Sequence, residues 1–466
     1  MSDDRRNRGR RSARPDPEDG AQRALPNVNP RRVAFDAIRA VTEDNAYANL
    51  VLPRMLAETD NTGRDAALAT ELTYGTLRSL GTLEAILAAA SGRHIQQLQR
   101  DLVDALCLGA YQLLYMRVPP HAAVATTVSL VKAAVSPRVS GLANAVLRKV
   151  AAKDLEEWTG ELATGDRRAD LALRYAHPEW IVEEFEAVLG PDELPAALAA
   201  DNVAPPVHLA AKPGRITKGD LSRETRGGEH GQWSPYAIYL PSGDPGKIRA
   251  VATGLAHVQD EGSQLVALAL AEAPLEGPDK SWVDLCAGPG GKTALLGGLA
   301  SQRDAHLDSV EIQAHRAELV AKAARGLPVT VHTGDGREFG EPGSADRVLV
   351  DAPCSGLGAL RRRPEARWRK GRSDIDDLAV LQKELLTAGL RLARPGGIVA
   401  YVTCSPVIAE TEDVVGSVLK AGGADLVRPE WLTSRVPDSA RGDFVQLWPH
   451  RHGTDAMFLA LLRKHG

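Results

Sequence analysis

The chain has 466 residues, of which 44% are hydrophobic, 25% charged and 4% aromatic, which is too long for one core and ordinary for a globular protein of two or three domains. No apolar run reaches the ~18 residues of a membrane span, the arginine-rich N-terminus lacks an apolar signal core, and four cysteines without zinc-ligand spacing cannot form a disulfide framework. A cytoplasmic protein with reduced thiols, no membrane partner and no metal is expected. The net charge of −4 weighs mildly against nucleic acid, although its distribution matters more than its sum.

Residues 1–29 carry Arg5, Arg6, Arg8, Arg10, Arg11 and Arg14 among Asp, Pro and Gly. With almost no apolar side chains they are expected to be a disordered basic tail, either weakly attracting RNA or simply solvated. From 30 to 153 the apolar residues recur near every 3.6 positions: Val33, Ala37, Ile38 and Val41, then Leu68, Leu72, Leu77, Leu80 and Leu83, then Val103, Cys107, Ala110, Tyr111 and Leu114. This predicts an all-helical domain, interrupted at Pro119-Pro120, with Cys107 a buried core thiol. Residues 154–259 read as a small α+β connector. A helix start lies near Tyr175 to Phe185, short strands at Val207–Ala211 and Ile238–Leu240, and proline and glycine mark the turns. Asp260 and Ser263 then either cap the next helix or line a cleft.

From 260 to 466 strands alternate with helices, which predicts an α/β, Rossmann-like domain with a parallel sheet covered on both faces. Trp282–Leu285 reads as a buried strand, and Cys286, Ala287, Gly288, Pro289, Gly290, Gly291 and Lys292 form a glycine loop opening a helix through Leu299. The loop has neither Walker A spacing nor G-x-G-x-x-G, so nothing in it demands a phosphate. The strand from His306 to Val310 ends at Glu311, about twenty residues past Gly291, where an acid can accept hydrogen bonds from two ribose hydroxyls; a helix N-terminal acid is the plain alternative. After Val329–His332 comes Asp335, otherwise a turn aspartate.

Two apolar runs each end in a polar residue and a cysteine: Val348–Val350 leads to Asp351 and Cys354, and Ile398–Val402 to Thr403 and Cys404. Both thiols should face one crevice at the carboxyl ends of the strands. Beside Cys354, a basic block that includes Arg361, Arg362 and Arg367 is read as phosphate-facing in preference to a solvated helix face.

These residues resemble the Sun/RsmB family of S-adenosylmethionine-dependent RNA cytosine-5 methyltransferases. The resemblance is carried by CAGPGGKT at Cys286–Thr293, DAPCSGLGALRRRPEARW at Asp351–Trp368, and TCSP with Glu410 following at Thr403–Glu410. The helical stretch is similar to the NusB fold through ELTYGTLRSL (Glu71–Leu80), GAYQLLYMRVPP (Gly109–Pro120) and NAVLRK (Asn144–Lys149). The resemblance implies S-adenosylmethionine held by Cys286–Lys292, Glu311, Asp335 (on the adenine amino group) and Asp351, and small-subunit ribosomal RNA as partner.

It also implies cysteine chemistry, because cytosine C5 becomes nucleophilic only after a thiolate adds at C6. Asp351 would contact the cytosine ring edge. DNA enzymes attack from a Pro-Cys motif, which would make Cys354 the nucleophile; the RNA family attacks from Thr-Cys, which implies Cys404, with Cys354 assisting product release. The chemistry of the two thiols alone does not choose between them. Methylation of tRNA or another RNA, and a non-catalytic RNA-binding assembly factor, are the alternatives. The oligomeric state is not readable, and a monomer is the default expectation.

Overall fold

The computed structural model describes residues 28–466 other than 60 and 241, so the tail through residue 27 lies outside the described residues. The first helix, Pro30–Thr42, starts where Asn29 Oδ1 accepts the Arg31 backbone N–H at 2.9 Å and Pro30 supplies a preset first turn. Its buried stripe of Val33, Ala34, Ala37, Ile38 and Val41 packs inward. Helices Ala48–Glu58, Gly63–Arg78, Leu80–Ser91, Arg100–Leu114, Pro120–Ala134 and Ser140–Val150 complete a bundle around one core that contains Cys107. Burial pushes that thiol's pKa well up, consistent with an inert packing group.

Helical packing continues past residue 153. An Asp154–Glu157 capping box starts Leu155–Leu162, and Trp158 joins the bundle core while its Nε1 donates to the Val150 carbonyl at 3.0 Å. Helices Arg167–Tyr175 and Glu179–Ala200 follow, the latter bent at Gly190, where φ is +73°. The connector's first half is thus helical. Its second half is an antiparallel sheet of β1 (Val207–Ala211), β2 (Glu229–His230), β3 (Ala237–Leu240) and β4 (Ala256–Val258), in the order β2-β3-β1-β4.

The remaining strands form one nine-stranded sheet. β5 (Ser281–Asp284), β6 (His306–Glu311), β7 (Val329–Thr333), β8 (Ala345–Asp351) and β9 (Ala393–Thr403) run parallel in the order β7-β6-β5-β8-β9. Beyond β9 the sheet turns antiparallel through β13 (Phe458–Lys464), which pairs with both β10 (Ala424–Val427) and β12 (Phe444–Gln446), and β11 (Ala440–Arg441) closes that edge. The sheet is therefore mixed, where alternation alone predicted a parallel one. Residues 447–457 between β12 and β13 hold only a four-residue helix, not the long packed crossover that a parallel neighbour requires.

Helices Glu261–Glu272 and Gly291–Gln302 cover one face and Arg372–Leu392 and Glu412–Lys420 the other. Among the described residues no helix is long and apolar enough to cross a membrane. The chain leaves β5 for β6 and β7 on one side and returns to β8 and β9 on the other, so the order reverses at β5. The crevice beyond the strands' carboxyl ends at this reversal is where open α/β sheets take their ligands.

Candidate active site

The glycine loop is pinned across the reversal by Leu285 N–H to Leu349 O at 3.0 Å and Ala287 N–H to Val310 O at 2.9 Å. Gly290 has φ +105°, and a Cβ there would come within 2.9 Å of the Ala323 Cβ, so the tight turn onto helix Gly291–Gln302 needs glycine. Thr293 Oγ1 donates to Asp284 Oδ2 at 2.7 Å, tying strand to helix. Burial pushes the Asp284 carboxyl up to about 7; the Thr293 hydrogen bond works against this and the Asp351 charge adds to it.

Glu311 is buried beneath the loop. Its Oε2 accepts the Gly288 N–H at 3.0 Å, its Oε1 accepts the Gln313 N–H at 3.0 Å, and Arg316 lies 3.6 Å away while donating to the Gly288 carbonyl at 2.6 Å. A Cβ on Gly288 would collide with this carboxylate. Asp335 sits beyond β7, more exposed, and is gripped by Arg337, whose hydrogen bonds hold the carboxyl below its usual range. Cys286 is partly buried in the loop, its thiol pushed well up by burial and by the Asp284, Asp351 and Glu311 charges.

Parallel pairing of β8 with β9 aligns Asp351 with Val402, and Ala352 N–H donates to Val402 O at 2.9 Å. That register brings Cys354 Sγ to 3.4 Å from Cys404 Sγ. Lys292 Nζ lies 2.8 Å from Asp351 Oδ2. Burial opposes the ammonium, but the Asp351 carboxylate outweighs it and the Lys292 pKa is raised.

The surroundings distinguish the two thiols. Cys404 lies within hydrogen-bond distance of Cys354 and in the fields of Lys292 and Arg363, which together lower its pKa against burial and the Asp351 charge. Cys354 shares that hydrogen bond, is partly buried and faces the Glu410 carboxylate, and its pKa is raised.

Residues 270–463 match the family model described as 16S rRNA methyltransferase RsmB/F, and residues 28–152 match the NusB family. The ribosomal RNA small subunit methyltransferase B of an Enterobacter species is 32% identical over 449 residues, 94% of this chain and 99% of that protein. Its counterpart in Salmonella newport is 34% identical over 402 residues, 84% of this chain and 90% of that one. This chain belongs to the RsmB/F methyltransferase family. Rv1407 of Mycobacterium tuberculosis, which carries a provisional methyltransferase name, is 51% identical over 96% of this chain and 99% of its own. In fold the chain is similar to the solved structure of PH0851, with a TM-score of 0.79 at 23% identity over 94% of this chain and 99% of that one. NSun6 from Pyrococcus horikoshii, solved with SFG, gives a TM-score of 0.54 at 18% identity, covering 62% and 98%.

In this RsmB/F chain Arg361, Arg362 and Arg367 do not form the phosphate-facing surface that the sequence suggested, whereas Arg363 is exposed. Arg361 and Arg362 are drawn inward to Asp260 and Asp455, at 2.7 to 3.1 Å, and Arg367 is fully buried, donating to the carbonyls of Arg78 and Ala176 and to Asn202 Oδ1. Trp368 Nε1 donates to Leu77 O at 2.9 Å, and Arg369 to Val41 O at 2.9 Å. The segment is a strut between the Cys354 loop and the helical bundle. A run of arginines in sequence does not reveal the distant acids that pair with Arg361 and Arg362 or the carbonyls that Arg367 reaches. Asp260 serves both the plain role expected of it, capping its helix through the Gly262 N–H at 2.8 Å, and this ion-pair network.

Sequence reasoning also passed over Glu410 except as part of a motif, and placed Lys292 in the cofactor loop without naming the carboxylate it meets. The available signal was the serine that follows each cysteine, Ser355 and Ser405, because both reach Glu410.

Proposed function

We propose that this methyltransferase transfers a methyl group from S-adenosylmethionine to C5 of a cytosine in small-subunit ribosomal RNA, through a covalent bond between Cys404 and C6. The observation that carries the reading is the thiol pair at 3.4 Å beside the Asp351–Lys292 pair at the reversal crevice. A methyltransferase acting on a ring nitrogen or a ribose hydroxyl has no need of two adjacent thiols.

The residues around the glycine loop fit S-adenosylmethionine. Gly288 and Gly290 let the loop fold tightly over Glu311 and onto the helix that follows. Glu311 sits at the end of β6 with lone pairs beyond the two N–H groups it already accepts, and Asp335 lies past β7 for the adenine amino group. When bound, S-adenosylmethionine supplies an electrophilic methyl carbon on a cationic sulfur. Cys404, as thiolate, forms the S–C6 bond and turns C5 into an enamine carbon. Asp351 meets the amino and N3 edge of the ring, stabilising the proton that N3 takes up. After C5 carries the methyl group, water in the crevice accepts its proton, the electron pair returns to C5=C6 as the C6–S bond breaks and Cys404 leaves as thiolate, and N3 gives back to solvent the proton it took up. Cys354, the neighbouring thiol, assists that release.

The helical bundle, similar to NusB, is proposed to contact the RNA, as is exposed Arg363, whose field reaches Cys404. The enzyme, S-adenosylmethionine and small-subunit ribosomal RNA labelled with tritium at cytosine C5 should release tritium as methyl groups enter. Methyl incorporation without release would move the reaction off C5, and release only with tRNA would move the substrate.

A further inference from the structure

Glu410 is fully buried at the end of the turn that follows β9, yet no arginine or lysine pairs with it among the described residues. Its Oε1 accepts the Ser355 backbone N–H at 2.7 Å and Gln382 Nε2 at 3.1 Å, and its Oε2 accepts Ser405 Oγ at 2.6 Å and Ser355 Oγ. Gln382 also donates to the Pro353 carbonyl at 2.8 Å. A buried carboxylate is costly unless its oxygens are filled, and here the donors come from the residues immediately after Cys354 and Cys404. The two loops also meet directly, through Ser355 Oγ to Ser405 Oγ at 3.2 Å and Gly358 N–H to Cys404 O at 2.9 Å, and Glu410 is the side chain that bonds both serines at once.

We infer that Glu410 is a positioning residue that clamps the two cysteine loops together and, by placing its charge on the Cys354 side, directs the pair's proton to Cys354 and the nucleophilic charge to Cys404. The inference rests on the proposed cysteine chemistry, but it concerns the thiols themselves. The charged and titratable groups facing them are Lys292 and Arg363 toward Cys404, Asp351 between β8 and the loop helix, Tyr401 on β9, and Glu184 toward Glu410. Among the described charged side chains, only Glu410 both touches the serine neighbours of the two cysteines and faces Cys354.

The test is alkylation of the full-length protein by iodoacetamide from pH 6 to 10, with each cysteine followed by peptide mass. In the unaltered protein Cys404 should react at lower pH than Cys354. Glu410→Gln keeps the shape but removes the charge. It should move the Cys354 profile to lower pH, with about a tenfold faster reaction near neutrality per unit of pKa, and the Cys404 profile to higher pH. Unchanged profiles for both thiols would overturn the electrostatic assignment. Replacing Ser355 and Ser405 with alanine retains the charge and removes both hydroxyl tethers to Glu410 together with the direct Ser355–Ser405 bond. It should slow diamide-driven disulfide formation between Cys354 and Cys404 about tenfold, an arm that stands even if Glu410→Gln does not fold; an unchanged rate would overturn the clamp. Neither readout uses RNA or S-adenosylmethionine, so a failure of methyl transfer leaves both interpretable.

Discussion

At the scale of single residues, Cys354 and Cys404 are chemically equal groups in unequal surroundings. Cys404→Ala should abolish both methyl transfer and any covalent RNA complex. Cys354→Ala should instead accumulate a protein–RNA adduct that survives denaturing electrophoresis; the reverse pattern would exchange their roles. Lys292 faces Cys404 and pairs with Asp351, so Lys292→Met should raise the thiolate pKa. The rising limb of the pH–rate profile should move to higher pH, and a limb that stays in place would remove Lys292 from thiolate stabilisation. Glu311→Ala withdraws acceptors from buried donors, the Gly288 N–H among them, and should weaken S-adenosylmethionine binding by roughly 1 to 3 kcal/mol by calorimetry. Asp335→Ala should cost less, because Asp335 is more exposed and already shares its oxygens with Arg337.

Among the elements, β5 and its following helix depend on a buried acid. Asp284 has its folded pKa raised to about 7 by burial, against an ordinary carboxylate value of about 4 in the unfolded chain. Between these values the unfolded chain gives up the proton while the folded one keeps it, so stability declines as pH rises from about 4 to about 7 and levels off above. Asp284→Asn should flatten that decline in denaturant melts across the same window. The strut after Cys354 belongs at this scale too. Replacing Arg361 and Arg362 together leaves Asp260 and Asp455 buried without their guanidiniums, which should cost about 3 to 5 kcal/mol of stability. Calorimetric melting of the double variant measures it, and a loss under 1 kcal/mol would return these arginines to an external role.

Across the whole molecule, the helical bundle and the catalytic sheet are mechanically joined at the strut. Removing residues 1–153 would strip Arg367, Trp368 and Arg369 of the Arg78, Leu77, Val41 and Ala46 carbonyls and uncover the Trp368 ring that packs on Gly81. The truncated chain should keep protection from hydrogen exchange in β5, β8 and β9 but lose it across 357–370, and methylate RNA poorly for that reason as well as for lost RNA contacts. Full protection across 357–370 would mean that the strut holds without the bundle.

The sequence by itself determined the helical bundle, the strand–loop–helix at 282–299, and the placement of Glu311, Asp351, Cys354 and Cys404 at strand ends. Periodicity, glycine and strand-end position are local properties, written within a dozen residues of each other. What only the tertiary structure decided was long-range: the antiparallel return of β13, the inward turn of Arg361, Arg362 and Arg367, the reach of Lys292 to Asp351 across 59 positions, and the Glu410 bridge across 55. Charge and hydrogen-bond partnership depend on distance in space, and a buried guanidinium or carboxylate looks the same in sequence as a solvated one until its partners are brought to it.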